Sequence, residues 1–262
     1  MIYTRMVRLL KYFIVSRHRK GHGIHSPFVF ELINNVFRSK IPSEVTNTIS
    51  SLRKDLAGNK SIISVNDLGA GSAYTSSSLR KVSDISSRSS IRNRYARVLY
   101  NIARQYDERN ILELGTSVGI STMFIALGAP RSNIISIEGC DNLAEIARDN
   151  FFKYNLGNIN VITGDFDEQL QYIRKTGFNP SMVFIDGNHR KEPVIRYFYT
   201  CKGLIAPDSV IIFDDINYSS GMNMAWNEIK RDPEVSVSID IFQMGFVFFR
   251  GGIVKQDFQI RY

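Results

Sequence analysis

Residues 111–122 read ILELGTSVGIST, and the fold follows from how that stretch changes character. Ile111 to Leu114 form an apolar run of strand length carrying one acid, Glu113. Gly115 and Gly119 then bracket a turn, and the residues after Gly119 suit a helix. Glycines between a strand and a helix let the backbone approach a ligand closely, and the helix start offers free N–H groups. This is the plan of a nucleotide-type pocket. The G-x-x-x-G spacing is not the G-x-G-x-x-G of dinucleotide binders, and no G-x-x-x-x-G-K-[ST] phosphate loop occurs in the chain. Dehydrogenase and P-loop readings are therefore poor ones.

Outward from that stretch, four more apolar runs follow: Ile134 to Ile137, Ile159 to Thr163, Met182 to Ile185 and Val210 to Phe213. Amphipathic segments separate them, such as Asp141 to Tyr154 with Leu143, Ile146, Ala147 and Phe151 near helical spacing. Alternation of this kind predicts a parallel sheet wrapped by helices. Residues 235–250, VSVSIDIFQMGFVFFR, read as two strands around Gln243–Gly245, a closing hairpin. Five runs plus a hairpin give a seven-stranded, mostly parallel α/β sheet. Ser90 is expected to cap a helix reaching about Tyr106, with Val98, Leu99 and Ile102 on one face. The organisation predicted is a helical extension over 1–60, a Ser/Gly-rich loop or lid over 61–90, and a main domain over 91–262.

The 44% apolar and 22% charged shares over 262 residues belong to a globular chain and exclude disorder. Cys140 and Cys201 are too few for a disulfide framework or a thiolate zinc site, which points to a reducing compartment, the cytoplasm. No apolar run approaches the roughly 18 residues of a transmembrane span. Residues 1–20 read instead as a basic amphipathic helix. The net charge of +8 is uneven: residues 1–104 hold 18 Lys+Arg against 5 Asp+Glu, and the remainder 15 against 20. A basic front suits a nucleic acid, an anionic membrane surface or an acidic substrate, and equally an ordinary solvated face.

Every apolar run ends in or beside an acid or a glycine: Glu113 and Gly115, Glu138, Gly164 and Asp165, Asp186, then Asp214 and Asp215. In open α/β sheets ligands bind at the carboxyl ends of the strands, so these groups mark one shared rim. Glu138, 25 positions after Glu113, suits the two hydroxyls of a ribose. Asp165 and Phe166 suit an adenine, by an amino-group contact and by stacking. The plainer alternatives are a rim acid for Glu138 and a helix cap for Asp165.

With these residues in view, 91–250 resembles a class I S-adenosylmethionine-dependent methyltransferase. The matching segments are ELGTSVGIST, SIEGC, ITGDFDE, MVFIDGNH and LIAPDSVIIFDD, in order and ahead of the hairpin. The FIDGNH and IIFDD pair is similar to the metal-assisted O-methyltransferases of catechol and caffeoyl-CoA type. The resemblance implies a Rossmann-like fold and S-adenosyl-L-methionine as cofactor. Gly115, Ser117 and Gly119 would flank its methionine part, Glu138 its ribose and Asp165 its adenine. It also implies a small-molecule acceptor and a divalent metal, Mg²⁺ by donor chemistry, on Asp186, Asp214 and Asp215. The competing reading is that Asp186 touches only cofactor or substrate and Asp214 caps a loop.

His189 departs from that family, which carries a lysine base at the corresponding place. A histidine there suits a general base near neutral pH, with Asp186 as its catalytic neighbour; a metal ligand or a helix-start residue are its alternatives. Asn66 to Ser72 imitates a second glycine loop, but no strand ending in an acid follows it, and it is assigned to a substrate-side lid. His18, His22 and His25 lack the acid or cysteine that would complete a metal site, while Ser26-Pro27 marks a helix start. Two other functions stay open: an RNA methyltransferase using the basic front, and a cofactor-binding protein without turnover. A homodimer is also left open.

Overall fold

The computed structural model describes residues 2–16, 23–66 and 78–262. They divide into two units, Lys40–Phe178 and Met1–Ser39 with Asn179–Tyr262. These bounds do not follow the breaks at 60 and 90 expected from composition. Two helices come first in the chain, α1 (Ile2–Val15) and α2 (Pro27–Leu32). The second begins as its sequence predicts: Pro27 takes the first turn, and the Ser26 hydroxyl accepts from the Val29 N–H at 3.5 Å. It continues as a π-turn over Ile33–Phe37.

The unit Lys40–Phe178 opens with α3 (Ser43–Gly58), whose Val45, Ile49, Leu52 and Leu56 make one buried stripe. Then come β1 (Ile62–Ser64), β2 (Leu79–Lys81), α4 (Val82–Ser89) and α5 (Asn93–Ala103). The remaining elements alternate: β3 (Asn110–Leu114), α6 (Ile120–Gly128), β4 (Asn133–Glu138), α7 (Asp141–Lys153), β5 (Ile159–Thr163) and α8 (Phe166–Thr176). β4 lies between β3 and β5, parallel to both, with Ile111 opposite Ile134 and Ile134 opposite Ile159. The near-continuous apolar run of β4 is what a parallel strand covered on both faces requires.

Three expectations are corrected in this unit. Ser90 does not cap α5; it is the extended residue closing α4, and α5 starts after Arg92 with no side-chain cap. The expected helix to Tyr106 ends at Ala103 and tightens into a 3₁₀ turn over Arg104–Tyr106. The described parts of 61–90 are not all loop, since β1 and β2 pair antiparallel and α4 buries Val82 and Ile85. The described serines of α4 do not share one face, since Ser87 is exposed, Ser83 half-buried and Ser86 buried. The glycine-rich Asp67 to Ser72 lies outside the described residues, as do His18 and His22. His25 is described, and exposed.

The other unit carries β6 (Met182–Ile185), α9 (Lys191–Lys202), β7 (Val210–Phe213), α10 (Ser220–Ile229), β8 (Val237–Asp240), β9 (Gly245–Phe248) and β10 (Gln256–Gln259). β6 and β7 are parallel, β9 runs antiparallel to both β7 and β8, and β10 lies parallel to β8. The hairpin stands where the sequence placed it. A Cβ on Gly245 would come within 2.6 Å of the Trp226 ring, which is why a glycine opens β9. The fold class is mixed α/β, Rossmann-like and mostly parallel, with the antiparallel hairpin at its C-terminal end. β10 adds a strand to the seven expected. Its QDFQ sequence lacks an apolar run because backbone pairing at an edge needs none. Among the described residues no helix is long and apolar enough to cross a membrane.

Candidate active site

In the unit Lys40–Phe178 the turn after β3 is built from left-handed backbone: φ is 104° at Gly115, 49° at Ser117 and 88° at Gly119. Gly119 is required twice over. Its φ disfavours a side chain, and a Cβ there would stand 2.7 Å from the Phe151 ring. The Gly115 N–H donates to the Ile137 carbonyl at 2.9 Å, so the turn is held against the end of β4.

Glu113 takes no place at a ligand surface. It is completely buried, and its carboxylate accepts from the hydroxyls of Ser121 (2.7 Å), Thr122 (2.5 Å) and Ser136 (2.6 Å). Burial pushes its carboxyl above the usual range, while the three hydroxyls pull the other way. Glu113 is therefore a strut tying the first turn of α6 to β3 and β4. The signal for this was the Ser-Thr pair just after Gly119 together with Ser136, polar residues that a buried strand and helix tolerate only when paired.

Glu138, at the tip of β4, spans two elements. One oxygen accepts from the Ser117 N–H at 2.7 Å and the other from the Cys140 N–H at 3.0 Å. A carboxylate oxygen can accept more than one hydrogen bond. β1 adjoins the start of α7: the Ser64 carbonyl accepts from Asn142 Nδ2 at 2.7 Å. Asp165 performs its plainer role, its Oδ1 accepting from the N–H groups of Asp167 (2.8 Å) and Glu168 (3.3 Å) as the cap of α8. Phe166 is the half-buried first residue of that helix.

In the other unit the register pairs Ile185 with Phe213, so Asp186 and Asp214 follow paired residues at adjacent tips. The Asp214 N–H donates to the Ile185 carbonyl at 3.0 Å. The Asp186 carboxylate turns toward His189, with Oδ1 3.7 Å from Nε2. The His189 ring lies 6.1 Å from that of Tyr218, and the Arg5 guanidinium stands 5.8 Å from the same tyrosine ring.

Asp214 is buried and its carboxyl is pushed up to about 8, first by burial and then by the charge of Asp215. Asp215 has a left-handed φ of 53°. Both carboxylates are answered by Gln243, whose Nε2 donates to Asp215 Oδ1 at 2.5 Å and to Asp214 Oδ1 at 3.2 Å. The oxygen of Gln243 accepts from Arg5 at 3.3 Å, and Arg5 itself stands 3.9 Å from Asp215. Arg5, Gln243 and Tyr218 were not singled out by the sequence. They come from a helix start, a hairpin turn and a loop, and no local spacing connects them.

The expected metal triad of Asp186, Asp214 and Asp215 is corrected here. Among the described residues no three of His, Cys, Asp and Glu gather closely enough to hold an ion. The reason is geometric: Asp186 is directed at His189, and the other two carboxylates are directed at an amide nitrogen and a guanidinium. A donor nitrogen is the wrong chemistry for a hard cation's shell, so this arrangement does not fit Mg²⁺.

With both halves of the geometry described, the chain was compared with known proteins. Residues 112–216 match the model of a methyltransferase domain. Over 118 residues the chain is 30% identical to a catechol O-methyltransferase of Niastella koreensis, covering 44% of this chain and 52% of that protein. It is 28% identical over 123 residues to a catechol O-methyltransferase of Mycobacterium tuberculosis, covering 46% and 54%. The chain thus spans about half the length of the curated relatives it matches. Among solved structures, an O-methyltransferase from Bacillus cereus in complex with SAH shares its fold, with a TM-score of 0.54, 22% identity, and coverage of 84% of this chain and 96% of that one. From β3 to just past the carboxylates after β7, this chain is similar to a methyltransferase domain.

Proposed function

We propose that the chain transfers a methyl group from S-adenosylmethionine to an oxygen of a small-molecule acceptor. The observation that carries this reading is Glu138, an acid at a strand tip that grips the glycine turn with one oxygen and the start of α7 with the other. A carboxylate so placed suits the paired hydroxyls of a ribose. Gly115, Ser117 and Gly119 would hold the methionine part, with Asp165 and Phe166 at the adenine. When bound, S-adenosylmethionine supplies a methyl group already activated on a sulfonium sulfur.

The chain's own work is then alignment and proton removal. Alignment of reacting groups is worth roughly 7–11 kcal/mol of such a barrier. His189 accepts the acceptor's hydroxyl proton, and Asp186, 3.7 Å away, favours the imidazolium that results. No divalent ion enters this proposal, because Gln243 and Arg5 already answer Asp214 and Asp215. A catechol is the first acceptor to test, on the likeness to two catechol O-methyltransferases. Both cysteines are free and buried, which supports a reducing compartment, and we place the chain in the cytoplasm on that ground.

Isothermal titration of the purified chain with S-adenosylmethionine tests the reading. Saturable binding near one site per chain, weakened about tenfold or more by Glu138→Ala, supports it. No binding overturns it. Methylation assays then separate enzyme from silent binder: His189→Ala should lower kcat by about 10²–10⁴ with cofactor affinity kept. Activity should also survive a chelator. Cofactor binding without turnover on any hydroxyl acceptor would favour a non-catalytic role.

A further inference from the structure

Helix α1 has two faces of different fate. Arg5, Arg8 and Tyr12, spaced three and four apart, fasten it to its own unit. Arg8 donates to the carbonyls of Ser219 (2.9 Å) and Asn217 (3.4 Å) and to the Ser220 hydroxyl (2.9 Å). Tyr12 is buried, its hydroxyl donating to the Ile260 carbonyl at 2.5 Å and accepting from the Tyr262 N–H at 3.0 Å. Beside the exposed Lys11, the other described side chains that α1 shows to solvent are apolar: Met6 is 57% exposed, Leu10 62%, Phe13 43% and Ile14 78%, with Val7 and Val15 about half exposed. Met6, Leu10, Phe13 and Ile14 are one helical stripe, Leu10 lying four positions from Met6 and from Ile14 and three from Phe13. No other described helix shows so many large apolar side chains to water.

We propose that this face docks on an anionic lipid surface, with α1 lying in the plane of the interface. Charge decides among the occupants. The first 30 residues contain Arg5, Arg8, Lys11, Arg17, Arg19 and Lys20 and no acid, the first being Glu31; Arg5 and Arg8 are turned to their own unit, and Lys11 is exposed on α1. A second copy seated on the same face would bring two such segments together, like charge on like. A nucleic acid would meet the basic groups and leave the apolar stripe in water. A bilayer with anionic headgroups satisfies both, accepting apolar side chains at the acyl boundary and basic ones at the phosphates. At 14 residues α1 is about 21 Å long, short of a membrane span but ample for an interfacial helix. The fastening of Arg8 and Tyr12 means that docking requires no release of the helix from the body. This inference is independent of the methyltransferase reading.

The test is sedimentation of the full chain with vesicles of pure phosphatidylcholine, or of phosphatidylcholine mixed with phosphatidylglycerol. Binding to the mixed vesicles only, falling as salt rises, is expected. The double variant Leu10→Ser/Ile14→Ser should lose most of that binding, and Lys11→Glu should weaken it about tenfold. These side chains are exposed, so melting temperature and S-adenosylmethionine titration should match the parent. A second readout is Ile14→Trp, whose fluorescence should shift to the blue on adding mixed vesicles, the native Trp226 being already buried. Failure to bind either vesicle overturns the proposal, as does binding indifferent to Leu10→Ser/Ile14→Ser. A dimer in sedimentation velocity that this double variant dissociates would overturn it in favour of a second copy.

Discussion

Glu113 and Asp214 are both carboxylates buried at the end of a β-strand run, and both are pushed above the ordinary carboxyl range by burial. Their surroundings differ. Glu113 faces three hydroxyls, all within 23 residues of it in sequence, and its bonds join one helix to two strands. Asp214 faces another acid, Asp215, and is answered by Gln243 and Arg5 from distant parts of the chain. The first arrangement satisfies a buried acid with neutral donors and makes it structural. The second crowds two acids onto one shared amide and one nearby cation, which favours keeping the proton on Asp214.

The strongest way to break this contrast is Glu113→Ala. It deletes the acceptor of three buried hydroxyls and should cost about 3–5 kcal/mol in urea unfolding. A loss below about 1 kcal/mol would show that Glu113 is not a strut. Gly119→Ala comes next, at about 2–3 kcal/mol, because it combines a φ of 88° with a Cβ 2.7 Å from Phe151. The companion change Phe151→Leu should recover the steric part and leave the backbone part.

Asp214 sharpens the comparison through pH. Its folded-state pKa of about 8 lies above the ordinary 3.8, so the native state holds this proton more tightly than the unfolded chain. That contribution to stability is complete below the lower value and is lost as pH rises through the upper one. Asp214→Asn should therefore flatten the decline in stability between about pH 4 and 8, a slope of at most about 1.4 kcal/mol per pH unit for one group. Equal slopes in variant and parent, by thermal melts across that range, would contradict the assignment. The smallest effect is expected from Asp165→Ala, about 1 kcal/mol for a lost cap. If S-adenosylmethionine affinity falls more than stability does, Asp165 serves the ligand as well as the helix.

Much of the fold was legible in the sequence. All five apolar runs became strands, three with the bounds expected and two extended by a residue or two. The hairpin about Gln243–Gly245 and the Ser26-Pro27 start were equally plain. The failures share a cause. Ser90 has the chemistry of a cap but not the position, β10 carries no apolar run, and the 61–90 segment hides two strands behind serine-rich composition. Each depends on what the segment meets elsewhere in the chain.

The site divides in the same way. Gly115, Gly119 and the acids at the strand tips are visible because backbone conformation and strand ends leave local marks in sequence. The roles of those acids are not. Glu113 turned inward to three hydroxyls, Asp186 toward His189, and Asp214 and Asp215 toward an amide and a guanidinium instead of an ion's shell. The sequence by itself determined where strands end, where glycine is required and which segment is both basic and amphipathic, since these depend on residues a few positions apart. Which carboxylate meets a hydroxyl, a histidine, an amide or water was decided by the tertiary structure alone. A buried acid takes whichever groups the fold brings near it, and for Asp214 and Asp215 these are Gln243 from the hairpin turn and Arg5 from the first turns of the chain.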